Sequence, residues 1–272
     1  MPELPEVETI RKQLSEYLPL KITKVEKSDV LGSILKEESF QLKNKILESI
    51  SRTGKLMDFF LGEDHHMLSH LGMSGSWRIS NKKIQEKHTH LQLHCLNNKK
   101  EKIFLAYVDP RRFGNIYINT KEETKKHYKK LGIDIASDAF TEDYIWECIK
   151  KFPNKEIKPF LLEQKYFAGV GNYIASEICA RAKIKPTRKN KSLKKKDSAA
   201  LLFGTKSILE DTIANNGTTF SGGYADANGE KGEGVKNLVV FYQTICGMCK
   251  KTPVTKITQA TRGTYYCPIC QK

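Results

Sequence analysis

Two Cys-x2-Cys pairs close to the end of the chain constrain its folding more than any other feature. They read Cys246-Gly-Met-Cys249 and Cys267-Pro-Ile-Cys270, with seventeen residues between them. Each pair forms a tight knuckle presenting two thiolates, and two knuckles at this separation can converge tetrahedrally on one Zn2+. A disulfide framework is the competing arrangement. It suits secreted chains, and the opening Met1-Pro2-Glu3-Leu4-Pro5-Glu6 lacks a signal-peptide pattern. Four protein ligands leave such a metal no open position, so the zinc is expected to be structural. The other cysteines, Cys95, Cys148 and Cys179, sit among apolar neighbours and are expected to be small buried side chains.

Ahead of the cysteine ribbon the texture changes once. Val7, Ile10, Leu14 and Tyr17 recur at helical spacing, with Pro5 suited to a first turn and Pro19 beyond, which predicts a helix over residues 5–18. From Lys21 to Asn119 short strand-like runs are broken by glycines and by Asn97-Asn98, the pattern of an antiparallel sandwich or barrel. The charged stretch 121–130 is expected to be a linker or crossover helix. Beyond Leu131 helices are predicted over 142–152 (capped by Thr141), 157–166, 173–182 and 197–215, the last closed by Asn216-Gly217. The expected domains are therefore 1–131, 132–236 and 237–272. The Gly-rich stretch 217–234 is expected to be mobile.

Charge narrows the partners. The chain of 272 residues carries 46 Lys+Arg against 31 Asp+Glu, a net +15. That excess favours an anionic polymer, with nucleic acid ahead of membrane, although a generic basic cytosolic enzyme shares the property. No apolar run approaches the ~20 residues needed to cross a bilayer. Residues 181–196 hold nine Lys or Arg and no acid, a run that suits either a solvated loop or phosphate contact.

Several local constellations can carry chemistry. Removal of Met1 would leave Pro2 as a secondary amine; an α-amine titrates near ~7.7–8.0, so part of it is nucleophilic at neutral pH. Glu3 and Glu6 place carboxylates nearby for proton exchange, while a plain helix start explains the same residues. Lys55 follows a turn glycine, as a lysine aimed at a phosphate would, or a solvated one. Met73, in His70-Leu-Gly-Met-Ser-Gly75, is either core filler or a wedge between stacked bases. Arg111 and Phe113, in Asp109-Pro-Arg-Arg-Phe-Gly114, suit stacking in a helix that has lost a base, or a surface turn. Gly169-Val-Gly-Asn172 at a helix start resembles a phosphate cradle. His88 and His90 are expected to share one strand face, as phosphate contacts or buried residues rather than a metal pair.

Together these segments resemble the bacterial formamidopyrimidine-DNA glycosylases. The likeness runs through PELPEVET from Pro2, Gly54-Lys55, HLGMSGSWR from His70, DPRRFG from Asp109, IKPFLLEQ from Ile157, GVGNYIASE from Gly169, YADANGEKG from Tyr224 and the four cysteines. The resemblance implies an α+β chain: an N-terminal antiparallel β-sandwich with a leading helix, a helix–two-turns–helix domain and a zinc finger, with DNA between the domains. It implies a bifunctional glycosylase and lyase for oxidised purines in double-stranded DNA, working as a cytoplasmic monomer with no membrane partner. The Pro2 amine would attack C1′ and form an imine, Glu3 would donate a proton, Lys55 would contact the adjacent phosphate and assist β-elimination, and Arg262 would contact a phosphate and take part in δ-elimination. Met73, Arg111 and Phe113 would fill the vacated stack, Arg111 facing the orphaned cytosine, and Asn172 and His88 would hold the backbone. The chemistry requires such a gap filler, because a stacked base is reached only by flipping it out.

Some positions depart from the pattern. Leu131-Gly132 is followed by Ile133-Asp134 where the family has Pro-Glu, and a lysine expected before the IKP segment is missing, leaving Lys155 as its substitute. Two alternatives stand beside the main expectation. An endonuclease VIII-like enzyme for oxidised pyrimidines would share the proline and the ribbon, but its start tends to PEGPE where this chain has Leu4. A non-catalytic zinc-ribbon damage binder would explain the charge and the ribbon, but not the Pro-Glu start.

Overall fold

The leading helix α1 (Leu4–Ser15) starts at the first proline-compatible turn and ends three residues before the expected stop. Its apolar stripe, Leu4, Val7, Ile10 and Leu14, is completely buried. The structure is a computed structural model that describes residues 2–220 and 223–272. The chain forms two compact units, Met1–Lys129 with Asn215–Glu233, and Lys130–Ala214 with Gly234–Lys272.

In the first unit ten strands follow α1: β1 (Leu20–Lys27), β2 (Leu35–Glu38), β3 (Ile46–Leu47), β4 (Ser49–Thr53), β5 (Leu56–Phe60), β6 (His65–His70), β7 (Ser76–Ser80), β8 (Thr89–Leu96), β9 (Lys102–Val108) and β10 (Asn115–Thr120). They make two five-stranded sheets, ordered β3-β1-β8-β9-β7 and β2-β10-β6-β5-β4. All ladders are antiparallel except β2 with β10. The sheets stack as a sandwich: Trp77 of one meets Phe59 of the other at 4.9 Å, and its indole donates to Ser69 Oγ at 3.0 Å. Alternation of strand side chains sends Ile22, Leu93, Leu105, Met67 and Ile118 into that shared core, where α1 adds Val7, Ile10 and Leu14. The charged stretch after β10 is helix α2 (Lys121–Tyr128), started by a Thr120–Glu123 capping box.

The second unit opens with β11 (Ile133–Asp134) and α3 (Glu142–Lys151), whose cap Thr141 accepts from Tyr144 N at 3.2 Å as expected. Helix α4 (Ile157–Leu161) is five residues shorter than the sequence pattern predicts. Gln164 is the reason: its amide donates to Leu162 O and Val170 O while its carbonyl accepts from Gly169 N, folding the chain back into β12 (Phe167–Ala168), paired with β11. Helices α5 (Asn172–Arg181) and α6 (Lys195–Ile213) pack together, and the hairpin β13 (Thr255–Gln259) and β14 (Arg262–Tyr266) follows.

Residues 215–233, expected within the helical domain 132–236, group instead with the first unit. Thr218 binds Glu6, Ala227 N donates to Gln13 Oε1 at 2.9 Å, and Ile79 N donates to Ala227 O at 3.0 Å. Within this stretch Ser221 and Gly222 lie outside the described residues. No helix among the described residues is long and apolar enough to cross a membrane.

Candidate active site

The head of the chain is held by Glu6. Its carboxylate accepts Glu3 N at 2.7 Å through one oxygen, and Thr218 N and Thr218 Oγ1 at 2.7 and 2.6 Å through the other. Glu6 is fully buried, so these bonds replace the water its charge would otherwise need. Of the two carboxylates expected beside Pro2, Glu6 is thus committed to bracing the backbone. Glu3 is the helix N-cap and is 2% exposed, and Pro2 is buried immediately before it. Met1 lies outside the described residues.

Lys55 occupies the second place of the two-residue turn between β4 and β5. Gly54 before it has φ of 60°, where a side chain is disfavoured and which this hairpin geometry demands. The turn is tied to α1: Arg52 donates to Gly54 O at 2.8 Å and to Glu8 at 3.0 Å, and Glu8 also holds Arg11 at 2.7 Å. Burial raises the Glu8 carboxyl, but hydrogen bonds from Arg11 and Arg52 outweigh it and the group falls below its ordinary range. Strand pairing sets His70 opposite Leu56, next to Lys55. Burial first, and the Lys55 charge second, push the His70 pKa down to about 4, so the imidazole is neutral at physiological pH. Sequence reasoning passed over His70, although it begins the HLGMSGSWR segment; a histidine on a strand beside a site lysine was the available signal.

The structure brings Met73, Arg111 and Phe113 together. Asp109, completely buried, organises their loop: it accepts Ser74 Oγ at 2.6 Å and Gly114 N at 2.8 Å, and Ser74 Oγ in turn receives Arg111 N at 3.2 Å. Gly72, at φ of 63°, lies so close to the Phe113 carbonyl that an added Cβ would approach it to 2.4 Å. The two loops therefore meet backbone to backbone. Met73 and Phe113 nevertheless remain 40% and 52% exposed, and the Arg111 guanidinium lies 4.7 Å over the Phe113 ring. Apolar groups held outward on a braced loop are what insertion between bases needs.

His88 and His90 do not share a face. His88 precedes β8 in a left-handed turn (φ 67°) and is exposed, its carbonyl accepting Asp109 N at 3.1 Å. His90 is buried, its ring between Ser28 Oγ at 3.1 Å and Asp109 O at 3.0 Å. A ladder irregularity between Thr89 and Leu91 breaks the alternation that the sequence suggests.

In the second unit Asn172 opens α5 and is pinned at both ends of its amide. Its Oδ1 accepts Lys158 Nζ at 2.6 Å, and its Nδ2 donates to Gly263 O at 3.0 Å. Gly263 follows Arg262, which is exposed at the start of β14. Lys158, inside the IKP segment, is completely buried and was not singled out from sequence, because nothing in its periodicity separates it from a solvated lysine. Lys155 pairs instead with Glu163 and lies 4.9 Å over the Phe152 ring.

Cys246, Cys249, Cys267 and Cys270 form the cluster, their sulfurs all within 4.8 Å of one another. A tetrahedral metal at ~2.3 Å from each sulfur requires S···S distances of roughly 3.8 Å, and Cys249 and Cys267 stand at 4.0 Å. All seven cysteines are unbridged, and Cys95, Cys148 and Cys179 are buried. The donor set fits one metal ion.

The same architecture occurs in known proteins. The family model for the formamidopyrimidine-DNA glycosylase N-terminal domain matches residues 1–116, and that for the H2TH domain of the same enzymes matches residues 131–222. Formamidopyrimidine-DNA glycosylases from Listeria monocytogenes and Klebsiella pneumoniae are each 36% identical to this chain, covering all of both sequences. Among solved structures, MutM bound to DNA containing carbocyclic 8-oxo-G and the Lactococcus lactis Fpg bound to N7-benzyl-Fapy-dG DNA each superpose with a TM-score of 0.87 at 31% identity, both chains fully covered. The sandwich with its leading helix, the helical unit and the four-cysteine ribbon thus match from end to end, and the chain belongs to the formamidopyrimidine-DNA glycosylase family.

Proposed function

We propose that this chain excises oxidised purines, 8-oxoguanine and formamidopyrimidines, from double-stranded DNA and then cleaves the strand as an AP lyase. The observation that carries the reading is the setting of Pro2. It is the residue that methionine removal would leave first, and the backbone just after it is fixed by Glu6. In this reading the Pro2 nitrogen attacks C1′ of the flipped nucleotide, the C1′–base bond breaks, and Glu3 supplies a proton. Loss of a proton from nitrogen frees its lone pair to expel O4′, which takes up a proton as the sugar ring opens; the resulting iminium at C1′ acidifies C2′ and permits β-elimination of the 3′ phosphate, followed by δ-elimination of the 5′ phosphate. Lys55 and Arg262 contact phosphates, with the neutral His70 beside Lys55 as a hydrogen-bonding partner rather than a second charge. Met73, Arg111 and Phe113 occupy the gap, Arg111 against the unpaired cytosine. Asn172, steadied by Lys158, holds backbone together with the exposed His88, while Lys155, engaged by Glu163, is the weakest of the proposed contacts. The four cysteines would hold Zn2+, which supplies rigidity to the ribbon and takes no part in the reaction. All these groups belong to one chain, consistent with a monomer acting on DNA in the bacterial cytoplasm.

Borohydride trapping tests the reading. Reduction during turnover on an 8-oxoguanine duplex is expected to leave a covalent adduct that maps to Pro2; Pro2→Gly weakens it and a blocked N-terminus abolishes it. An adduct unaffected by an N-terminal extension would overturn the mechanism. One solved Lactococcus lactis relative is bound to DNA containing an oxidised pyrimidine, so thymine glycol belongs in the same assay. Faster excision of the pyrimidine would overturn the purine assignment.

A further inference from the structure

The basic run 181–196 is not used by the chemistry above, yet it is built rather than loose. Arg181 is consumed internally, donating to Ser207 Oγ at 2.5 Å, Asp211 Oδ2 at 2.6 Å and Asn237 O at 2.9 Å. Arg188 ties the loop to itself through Ser192 O at 2.6 Å, and Lys195 pairs with Asp143 at 2.9 Å. The anchor is Asn190, 1% exposed: its N–H donates to Lys155 O at 2.8 Å and its side chain to Phe152 O at 2.9 Å. The N–H of Lys191 donates to Pro153 O at 2.8 Å. A buried asparagine flanked by fixed backbone turns Lys189 and Lys191 outward, and Lys183, Lys185, Lys194 and Lys196 are exposed with them.

This loop adjoins the hairpin that carries Arg262. Gln259, paired across the hairpin with Arg262, donates to Glu156 Oε2 at 2.8 Å and to Pro186 O at 3.2 Å. Glu156 bridges to Lys189, and Lys185 lies 5.7 Å from the centre of the Tyr266 ring. Among the described residues Lys189, Lys191 and Lys194 enter no ion pair. Such a concentration of like charge on a braced loop is electrostatically unfavourable by itself and is relieved by polyanion binding, with release of counterions. Resting on the glycosylase reading, we propose that the loop is a second backbone-binding surface, which continues the phosphate contacts of Arg262 along duplex DNA beyond the lesion.

The test compares wild-type protein with the combined Lys189→Ala, Lys191→Ala, Lys194→Ala variant on a lesion-free duplex of about thirty base pairs. The slope of log affinity against log salt is expected to shrink by about 0.9 per lysine, roughly 2.7 in all. The corresponding Lys→Arg variant retains the wild-type slope. Single-turnover excision of 8-oxoguanine at saturating enzyme stays unchanged in both. An unchanged slope in the alanine variant overturns the proposal, as does a loss confined to single-stranded RNA or polyglutamate. Failure of wild-type protein to excise the lesion, with the slope change intact, would instead sink the glycosylase reading and leave the surface standing.

Discussion

At the residue scale, His70 connects electrostatics to a measurable quantity. Its pKa of about 4 in the folded chain lies below the ordinary 6.5, because burial and the Lys55 charge both oppose protonation. The unfolded chain then binds a proton that the folded chain refuses. Stability is therefore fully present above pH 6.5 and falls as the pH drops from there towards 4, levelling off below. The loss tied to this residue is at most about 3 kcal/mol, at 1.36 kcal/mol per unit. Urea unfolding between pH 7 and 4 is expected to show a shallower decline for His70→Gln than for wild type; identical declines would refute the assignment. Lys55→Gln, by removing the smaller of the two causes, should recover only part of the effect.

At the element scale, the loop pair around Gly72 and Phe113 depends on backbone proximity rather than on side chains. Gly72→Ala puts a Cβ 2.4 Å from the Phe113 carbonyl carbon and oxygen, on a residue at φ of 63°. Neither backbone can yield without moving Arg111 or Met73, so a destabilisation of about 1–3 kcal/mol is expected. Excision opposite cytosine should fall more than binding to abasic duplex; equal excision in the variant and wild type would show that the loop geometry is dispensable. Much of this element was legible beforehand. Asp109, Arg111, Phe113 and the glycines announced a charged turn with an aromatic, and the repeat in residues 5–18 and the Thr141 cap announced helices. The failures share a physical origin. The separation of His88 from His90 arises from a ladder irregularity, the early end of α4 from the side chain of Gln164, and the burial of Lys158 from its bond to Asn172. Each is decided by a partner outside the local pattern, which periodicity cannot register.

At the scale of the whole molecule, the path of the chain decides what each unit can lose. Residues 215–233 return to the first unit through bonds spanning more than two hundred positions, such as Gln13 to Asp226 at 2.6 Å and Thr218 to Glu6. That return is invisible to local sequence reading, yet it completes the sandwich without help from the cysteines. The ribbon differs. Its hairpin has five paired positions, and its two knuckles supply little apolar burial beyond Cys246, Cys267 and Tyr265. A structural zinc contributes about 10–16 kcal/mol to folding in zinc-finger peptides, far more than so short a hairpin can supply. The four clustered sulfurs fit one ion, and a bound metal would supply the core that the ribbon otherwise lacks. Glu177 limits how far the damage spreads: fully buried on α5, it accepts the N–H groups of Val239, Val240 and Phe241 at 2.8–3.1 Å and secures the entry to the ribbon. Elemental mass analysis is thus expected to find one zinc per chain. Chelation should release it, expose residues beyond Phe241 to limited proteolysis first, and abolish duplex binding through loss of the Arg262 hairpin. The fragment covering the sandwich should stay resistant, and readdition of zinc should restore binding. Proteolysis starting within residues 20–120 after chelation would show instead that the sandwich depends on the metal.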